Sequence, residues 1–298
     1  MRIPIAQIWF AANLGRVATL QGRVATARRY FAEAAGLAHA NHFAGPRRMA
    51  LSGLALAYAT LGDASAAAEV LAERAAVPEF GFLGPEQRLA DAWTAIASRQ
   101  PREAAELLSD AAGHAASTAH HVTESWLLHD LMRVGGLDTS ARLLELADIC
   151  DSPLVSARAR HAAAVRARNP AELNGAADEF EAVGAMLLAA EAAVGAAEAF
   201  GRAGEKRAET AALRRSEALA SACEGATTPA LFHATAHEPL SRREREIAML
   251  AAEGMASKDI AERLYLSVRT VDNHLQRVYT KLGVSGRADL AKALGSSS

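Results

Sequence analysis

Turn signals recur along the first 225 or so residues at nearly constant spacing. They fall at Gly22, Gly62-Asp63, Gln100-Pro101, Gly136-Leu137-Asp138, Asn169-Pro170 and Gly204-Glu205, at intervals of 40, 38, 36, 33 and 35 residues. An alanine-rich amphipathic segment follows each one, such as ATARRYFAEAAGLA from Ala25 or REAAELLSDAAGHA from Arg102. Another helical stretch precedes each, such as ALSGLALAYATL or EQRLADAWTAIAS. Alanine is the best helix former, and Gly and Pro punctuation is sparse. The pattern predicts an all-α body of helix–turn–helix hairpins. A single hairpin cannot bury its apolar stripe, so the hairpins must stack.

An Ala followed four residues later by a large side chain recurs at Ala27/Phe31, Ala67/Leu71 and Ala104/Leu108. At a period near 36 this resembles tetratricopeptide repeats, although the Trp and Pro positions of that family are mostly missing. The resemblance implies a TPR-like α-solenoid over 1–221. A plain alanine-rich helical bundle would share the same pattern. Around 222–238 the string CEGATTPALFHATAHE mixes Gly, Thr, Pro and His without helical period, and is expected to be a linker. The third segment is then 239–298.

Composition excludes several classes. Apolar residues make up 51% of the 298 and charged residues 22%, which fits a folded chain rather than a disordered one. Arg or Glu interrupts every alanine-rich run, so no transmembrane helix is expected. The opening MRIPIAQIWFAANLGR carries helical periodicity throughout and lacks a cleavage pattern, so it does not read as a signal peptide. Cys150 and Cys223 are too far apart for a disulfide framework or zinc pattern, which fits a reducing cytoplasm. Net charge is −2 overall, yet residues 239–298 carry ten Lys/Arg against seven acids, or +3, which leaves −5 on the rest. A basic tail on an acidic body is the asymmetry of a small DNA-contacting module joined to a partner-facing body.

The 239–298 segment reads as four helices. Ser241-Arg242-Arg243-Glu244 is a capping box. It opens a helix whose inward face is Ile247, Leu250 and Ala251, and Gly254 stops that helix. Ser257 is expected to cap SKDIAERL, with Ile260, Ala261 and Leu264 inward. After the turn Tyr265-Leu266, Ser267 caps a longer helix over 267–282. Its apolar stripe is Val268, Val271, Leu275, Val278 and Leu282. Its other face carries Arg269, Thr270, Asp272, Asn273, Gln276, Arg277, Thr280 and Lys281. A last helix, RADLAKAL, follows Gly283. Two short helices at a tight turn, the second longer and polar outside, predict a helix-turn-helix with 267–282 as the recognition helix in the major groove.

The stretch 240–294 also resembles the LuxR-type (GerE-like) DNA-binding domain. The matching strings are REREI at 243–247, EG at 253–254, SKDIAERL at 257–264, SVRTVDNHL at 267–275, KLGV at 281–284 and RA at 287–288. Joined to an alanine-rich repeat body, it looks like the C-terminal part of the large MalT-like regulators. The resemblance implies a cytoplasmic, non-enzymatic, sequence-specific transcriptional regulator that binds double-stranded DNA as a homodimer. The repeats would sense an effector or protein partner. The last helix, with Ala288, Leu290, Ala291 and Leu294, would pair with its twin. Asp272 departs from the Lys or Glu common there and could accept from a cytosine amino group or sharpen register. Tyr265 stands where Gly is common, which puts mild strain on the turn or alters its geometry.

Arg269, Asp272, Asn273 and Gln276 are the candidates for base reading. Lys258, Ser267, Thr270, Arg277 and Lys281 are the candidates for phosphate contact, with a helical carbonyl the other partner for Thr270. His274 reads as a packed histidine first and a phosphate contact second. The pairs His39/His42, His120/His121 and His233/His237 lack the Cys or carboxylates that would complete a metal site, and no cofactor is expected. Trp9, Trp93, Trp126 and Tyr58 read as inter-helix packing, or as part of an effector pocket on the repeats. No P-loop occurs: the nearest string, at 201–206, has the wrong spacing. Two other readings stand beside the regulator. One is a repeat scaffold with a non-functional helix-turn-helix tail. The other is the C-terminal fragment of an ATP-dependent regulator.

Overall fold

The computed structural model describes residues 3–79, 84–135, 137–236, 240–282, 284, 286–287, 290 and 294, without the side chains of 233–236, 242 and 280. Every regular element among them is helical. The first twelve helices are α1 (Pro4–Leu20), α2 (Val24–Ala40), α3 (Ala44–Thr60), α4 (Ala64–Ala75), α5 (Gly84–Ala97), α6 (Pro101–Ser117), α7 (His121–Arg133), α8 (Ser140–Ile149), α9 (Pro153–Ala167), α10 (Pro170–Ala182), α11 (Met186–Ala203) and α12 (Lys206–Ser221). Then come α13 (Pro229–Ala236), α14 (Arg242–Ala252), α15 (Ser257–Leu264) and α16 (Val268–Leu282). The chain divides into two compact units, 1–230 and 231–298.

All six turn signals fall between an odd-numbered helix and the even-numbered helix after it, so the first unit is six hairpins. Left-handed residues make the turns: Gly22, Gly62, Gly135 and Gly204 in four, and Arg99 and Arg168 in the others. Asp63 and Asn169 add side-chain caps, accepting from Ala66 N–H and from the N–H groups of Ala171 and Glu172. The odd-numbered helices α1, α3, α5, α7 and α9 pack on one another in order, and each even-numbered helix packs on its own hairpin partner. This is consistent with the stacked hairpins that the sequence predicts.

Alanine sets the spacing. Ala27, Ala67 and Ala104 are fully buried, and so are Ala189, Ala190, Ala192 and Ala193 along α11. With only a methyl group at these points, helix backbones approach closely. Phe31 shows the extreme case, since its ring lies against Gly15 of α1 and Gly53 of α3, and a Cβ on Gly53 would collide with it.

The hairpins curl until the ends meet. Gly22, in the first turn, lies against Leu187 of α11 and the Sγ of Cys223, and a Cβ there would touch both. Glu224 accepts from the Thr26 N–H at 2.6 Å and its hydroxyl at 2.8 Å, and the Thr227 N–H donates to the Thr60 carbonyl at 2.7 Å. Residues expected to begin a linker at 222 are therefore fastened to the repeat body, and Pro229–Ala236, also expected to be linker, is helix. Helical periodicity is hard to see over only eight residues, and the Glu224 contact reaches nearly two hundred residues back along the chain.

The interior of this unit is polar where the odd-numbered helices converge. Arg133 donates to both carboxylate oxygens of Glu191 at 2.7 Å and to Asp130 at 2.5 Å, and its guanidinium lies 4.8 Å from the Trp93 ring. Trp93 donates its indole N–H to the other Asp130 oxygen at 2.7 Å. These groups are all buried. Beside them His129 Nε2 and His161 Nδ1 are 3.0 Å apart, and both rings pack on Phe180.

Burial holds both imidazoles neutral. The positive charges of Arg158 and Arg133 add to this at His129, and Arg133 adds at His161, which is pushed down to about 4. An unfolded chain takes up a proton on each histidine near pH 6.5, and the folded chain resists. Stability is therefore full above pH 6.5 and falls as the pH drops toward 4, by roughly 3 kcal/mol for His161. Urea midpoints measured across this range should decline, and His161→Gln should flatten the decline. A slope unchanged by the substitution would show that other groups cause it.

Candidate nucleic-acid interface

The second unit is built on an aliphatic core. Ile247, Ala248, Leu250 and Ala251 from α14, Ile260 and Ala261 from α15, and Val271, Leu275 and Val278 from α16 are buried together, with Leu282 packed against them. The α16 stripe is thus the expected one without Val268, which is 44% exposed. At the first helical position it lies ahead of the face that α14 and α15 cover.

The capping box is present. The Ser241 hydroxyl accepts from the Glu244 N–H at 3.2 Å, and the Glu244 carboxylate accepts from the Ser241 N–H at 2.8 Å. Gly254, with φ +89°, follows the end of α14 as expected. Ala256 rather than Ser257 takes the N-cap of α15, with no side-chain bond. The Ser257 hydroxyl instead accepts from Arg287 at 3.1 Å, whose other nitrogen donates to the Met255 carbonyl at 2.8 Å. Arg243 donates to the Leu264 carbonyl at 2.7 Å, closing the end of α15. Both arginines belong to the matching strings, but only the structure gives them these anchoring roles.

Tyr265 ends α15 in the left-handed conformation, φ +54° and ψ +46°, with its side chain 96% exposed. A Tyr there costs about 1 kcal/mol relative to Gly, which is the mild strain the sequence implies. The Ser267 hydroxyl accepts from the Thr270 N–H at 3.1 Å and lies 2.7 Å from its hydroxyl, so it caps α16 as expected.

The polar face of α16 is one continuous surface. Arg269, Asp272, Asn273, Gln276 and Arg277 are all exposed. Their spacing of i, i+3, i+4, i+7 and i+8 puts them on one side of the helix, opposite Val271, Leu275 and Val278. At 15 residues the helix is about 22 Å long. Lys258 is exposed on α15, and Ser267 and Thr270 lie at the entrance of α16. His274 is half-buried at the edge of the stripe, and its Nδ1 has no hydrogen-bond partner among the described residues.

Two expected site groups have other roles. Lys281, expected at a phosphate, donates to Glu244 at 2.9 Å, and the two side chains are 14% and 6% exposed. Its charge is neutralised inside the domain, tying α16 to the first turn of α14. Leu290, expected at a dimer contact, is fully buried in the core and Leu294 packs on the same cluster. Leu290 therefore presents no surface to a twin. Ala288 and Ala291 lie outside the described residues, as does most of the expected last helix. Among the described residues no group of three or more His, Cys, Asp or Glu could hold a metal.

Burial alone would raise the Glu244 carboxyl. Hydrogen bonds from Lys281 and Ser241, with the Lys281 charge, outweigh it and hold the group below its ordinary 4.5. The stability this adds is present above that value and is lost as the pH falls through the depressed one. Lys281→Met leaves a buried carboxylate without its cation and should cost roughly 3 kcal/mol of stability in the second unit. Adding Glu244→Gln, which keeps the capping box without the charge, should recover most of it. Chemical denaturation checks this: a single variant as stable as the parent would mean that the ion pair contributes nothing.

The family described as bacterial regulatory proteins, luxR family, matches residues 238–294. A putative HTH-type transcriptional regulator of Mycobacterium bovis is 43% identical over 83 residues, which is 28% of this chain and 9% of the relative. The transcriptional regulatory protein LiaR of Bacillus subtilis is 42% identical over 59 residues, 20% of this chain and 28% of LiaR. The oxygen regulatory protein NreC of Staphylococcus aureus is 45% identical over 53 residues, 18% of this chain and 24% of NreC. The chain thus spans only a small part of the curated relatives it matches. No solved structure matches it significantly. The C-terminal segment of this chain is a LuxR-family helix-turn-helix domain.

Proposed function

We propose that this chain is a sequence-specific transcriptional regulator that inserts α16 into the major groove, and that its repeat body senses an effector or protein partner and governs access to DNA. The exposed row of Arg269, Asp272, Asn273, Gln276 and Arg277 on one side of α16, opposite a buried stripe, carries the reading. A B-DNA major groove about 12 Å wide admits such a helix.

Arg269, Asp272, Asn273 and Gln276 read base edges. Asn273 has the geometry to pair with adenine, Arg269 with guanine, and Asp272 with a cytosine amino group. Val268 supplies an apolar surface for a thymine methyl beside them. Lys258, Ser267, Thr270 and Arg277 hold phosphates, with the N-terminus of α16 adding its backbone N–H groups. Two copies read an inverted repeat, and their dimer contact lies elsewhere than Leu290. The acting compartment is the cytoplasm. No helix among the described residues is long and apolar enough to cross a membrane.

Gel-shift titration against a site selected from random DNA tests the roles. Asn273→Ala should weaken the selected site by roughly 1–3 kcal/mol and leave random DNA unaffected. Arg277→Ala should weaken every sequence alike and reduce the slope of log K against log salt by about one. Equal losses across sequences for both variants would overturn the assignment. Binding that hardly responds to salt would favour a repeat scaffold with an inert tail.

A further inference from the structure

Arg158 is the anomaly of the repeat interior. It is 1% exposed and among the largest fully buried side chains of the chain. Each neighbouring buried arginine has carboxylates: Arg133 has Glu191 and Asp130, and Arg74 has Asp91 at 2.6 Å. Arg158 has no ion pair among the described residues. Nη1 donates to the Ser125 hydroxyl at 3.2 Å, the guanidinium lies 5.4 Å from the Trp126 ring, and Nε has no hydrogen-bond partner among the described residues. Asp130, which lines the same cavity, acts on Arg158 through its charge, while its two oxygens accept from Arg133 and from Trp93.

The guanidinium lines a cavity of about 50 Å³ where α1, α3, α5, α7, α9 and α11 converge. Leu56, Leu154, Leu187 and Leu188 form apolar walls, and Trp126 a flat one. A second cavity of about 30 Å³ shares Thr19, Leu56 and Trp126 with it. The lining also carries Thr19, Thr60, Asp130 and Arg133, but a guanidinium whose Nε–H is unpaired among the described residues, beside leucine and tryptophan walls, is well matched by a carboxylate accepting from parallel N–H groups. The space is below the ~150 Å³ that takes a benzene ring, so the attached group is short.

We propose that this cavity is a binding site for a short-chain monocarboxylate, its carboxylate on the Arg158 fork and its alkyl stem between the leucine walls and Trp126. The site lies entirely within the first unit. It gives the sensing role proposed above a ligand class and rests on that role only for its consequence, not for binding itself. Ligand and protein are unchanged covalently. The carboxylate pairs directly with a guanidinium that Asp130 and Glu86 otherwise reach only through their charge.

Binding is measured on the full chain without DNA, so failure here leaves the DNA-binding reading intact. Acetate, propionate and butyrate are titrated by calorimetry and by tryptophan fluorescence, with ethanol, propanol and butanol as chain-matched neutral controls and sodium chloride at equal ionic strength. The acids should bind one per chain, alter the fluorescence and raise the melting temperature, and the alcohols and chloride should not. Arg158→Met removes the fork and should weaken the acids at least ~10-fold. Because it also removes a buried unpaired charge, it should melt no lower than the unliganded parent. Leu56→Trp fills the cavity with Arg158 in place and should also abolish binding, so the test does not hang on one variant folding. No saturable response to any acid, or the same response in both variants, overturns the proposal.

Discussion

The small size of alanine governs the repeat body. Methyl groups at the helix crossings let the six hairpins lie close, as Ala27, Ala67, Ala104 and the alanines of α11 do. The same choice limits how much apolar area each helix can bury, at roughly 25 cal/mol for each square ångström. Larger side chains, such as Leu51, Leu89, Leu108, Leu127 and Phe180, are buried among the alanines. Phe31 fills the space between Gly15 and Gly53, Trp93 lies between α5 and α7, and charged groups take the rest of the interior. A body of this kind leans on its polar contacts more than a leucine-rich one. Breaking one end of the Arg133–Glu191 pair would strand a buried charge, which costs more than the intact pair contributes.

The helix-turn-helix unit solves the opposite problem. It has few residues and one aliphatic cluster, so each anchoring bond holds a large share of its geometry. Glu244 is the node. It closes the capping box of α14 and draws in Lys281 from the far end of α16, so the first and third helices are fixed by one carboxylate. Arg243 and Arg287 do the same for the two ends of α15 through backbone carbonyls and Ser257. With the frame held from inside, the outer face of α16 is left to polar residues that make no contribution to the core.

What could be read from the sequence was local. Each turn signal lies in a hairpin turn because a left-handed residue or an Asn or Asp cap is needed there whatever surrounds it. The polar face of α16 was legible because helical period alone separates Arg269, Asp272, Asn273, Gln276 and Arg277 from Val271, Leu275 and Val278. What was missed depends on partners distant in sequence. A lysine at the end of a recognition helix reads as a phosphate contact until Glu244, 37 residues earlier, is seen beside it. Leu290 belongs to a helix stripe in either role, and only the fold says that the stripe faces inward. Thr26 and Thr60 give no sign that they will hold residues 224 and 227.

The interior of the repeats also bears on how their stability would respond to an occupant. The buried histidine pair opposes the folded state as the pH falls below 6.5, and a buried guanidinium with a single hydroxyl partner among the described residues opposes it as well. Such groups lower the stability that any occupant must add to. An occupant at a hundred times its dissociation constant adds about 2.7 kcal/mol, whatever its chemistry. In a tightly packed leucine core that increment would be a small fraction of the whole. Where alanine packing limits the apolar gain and charges occupy the centre, the same increment is a larger fraction of the whole.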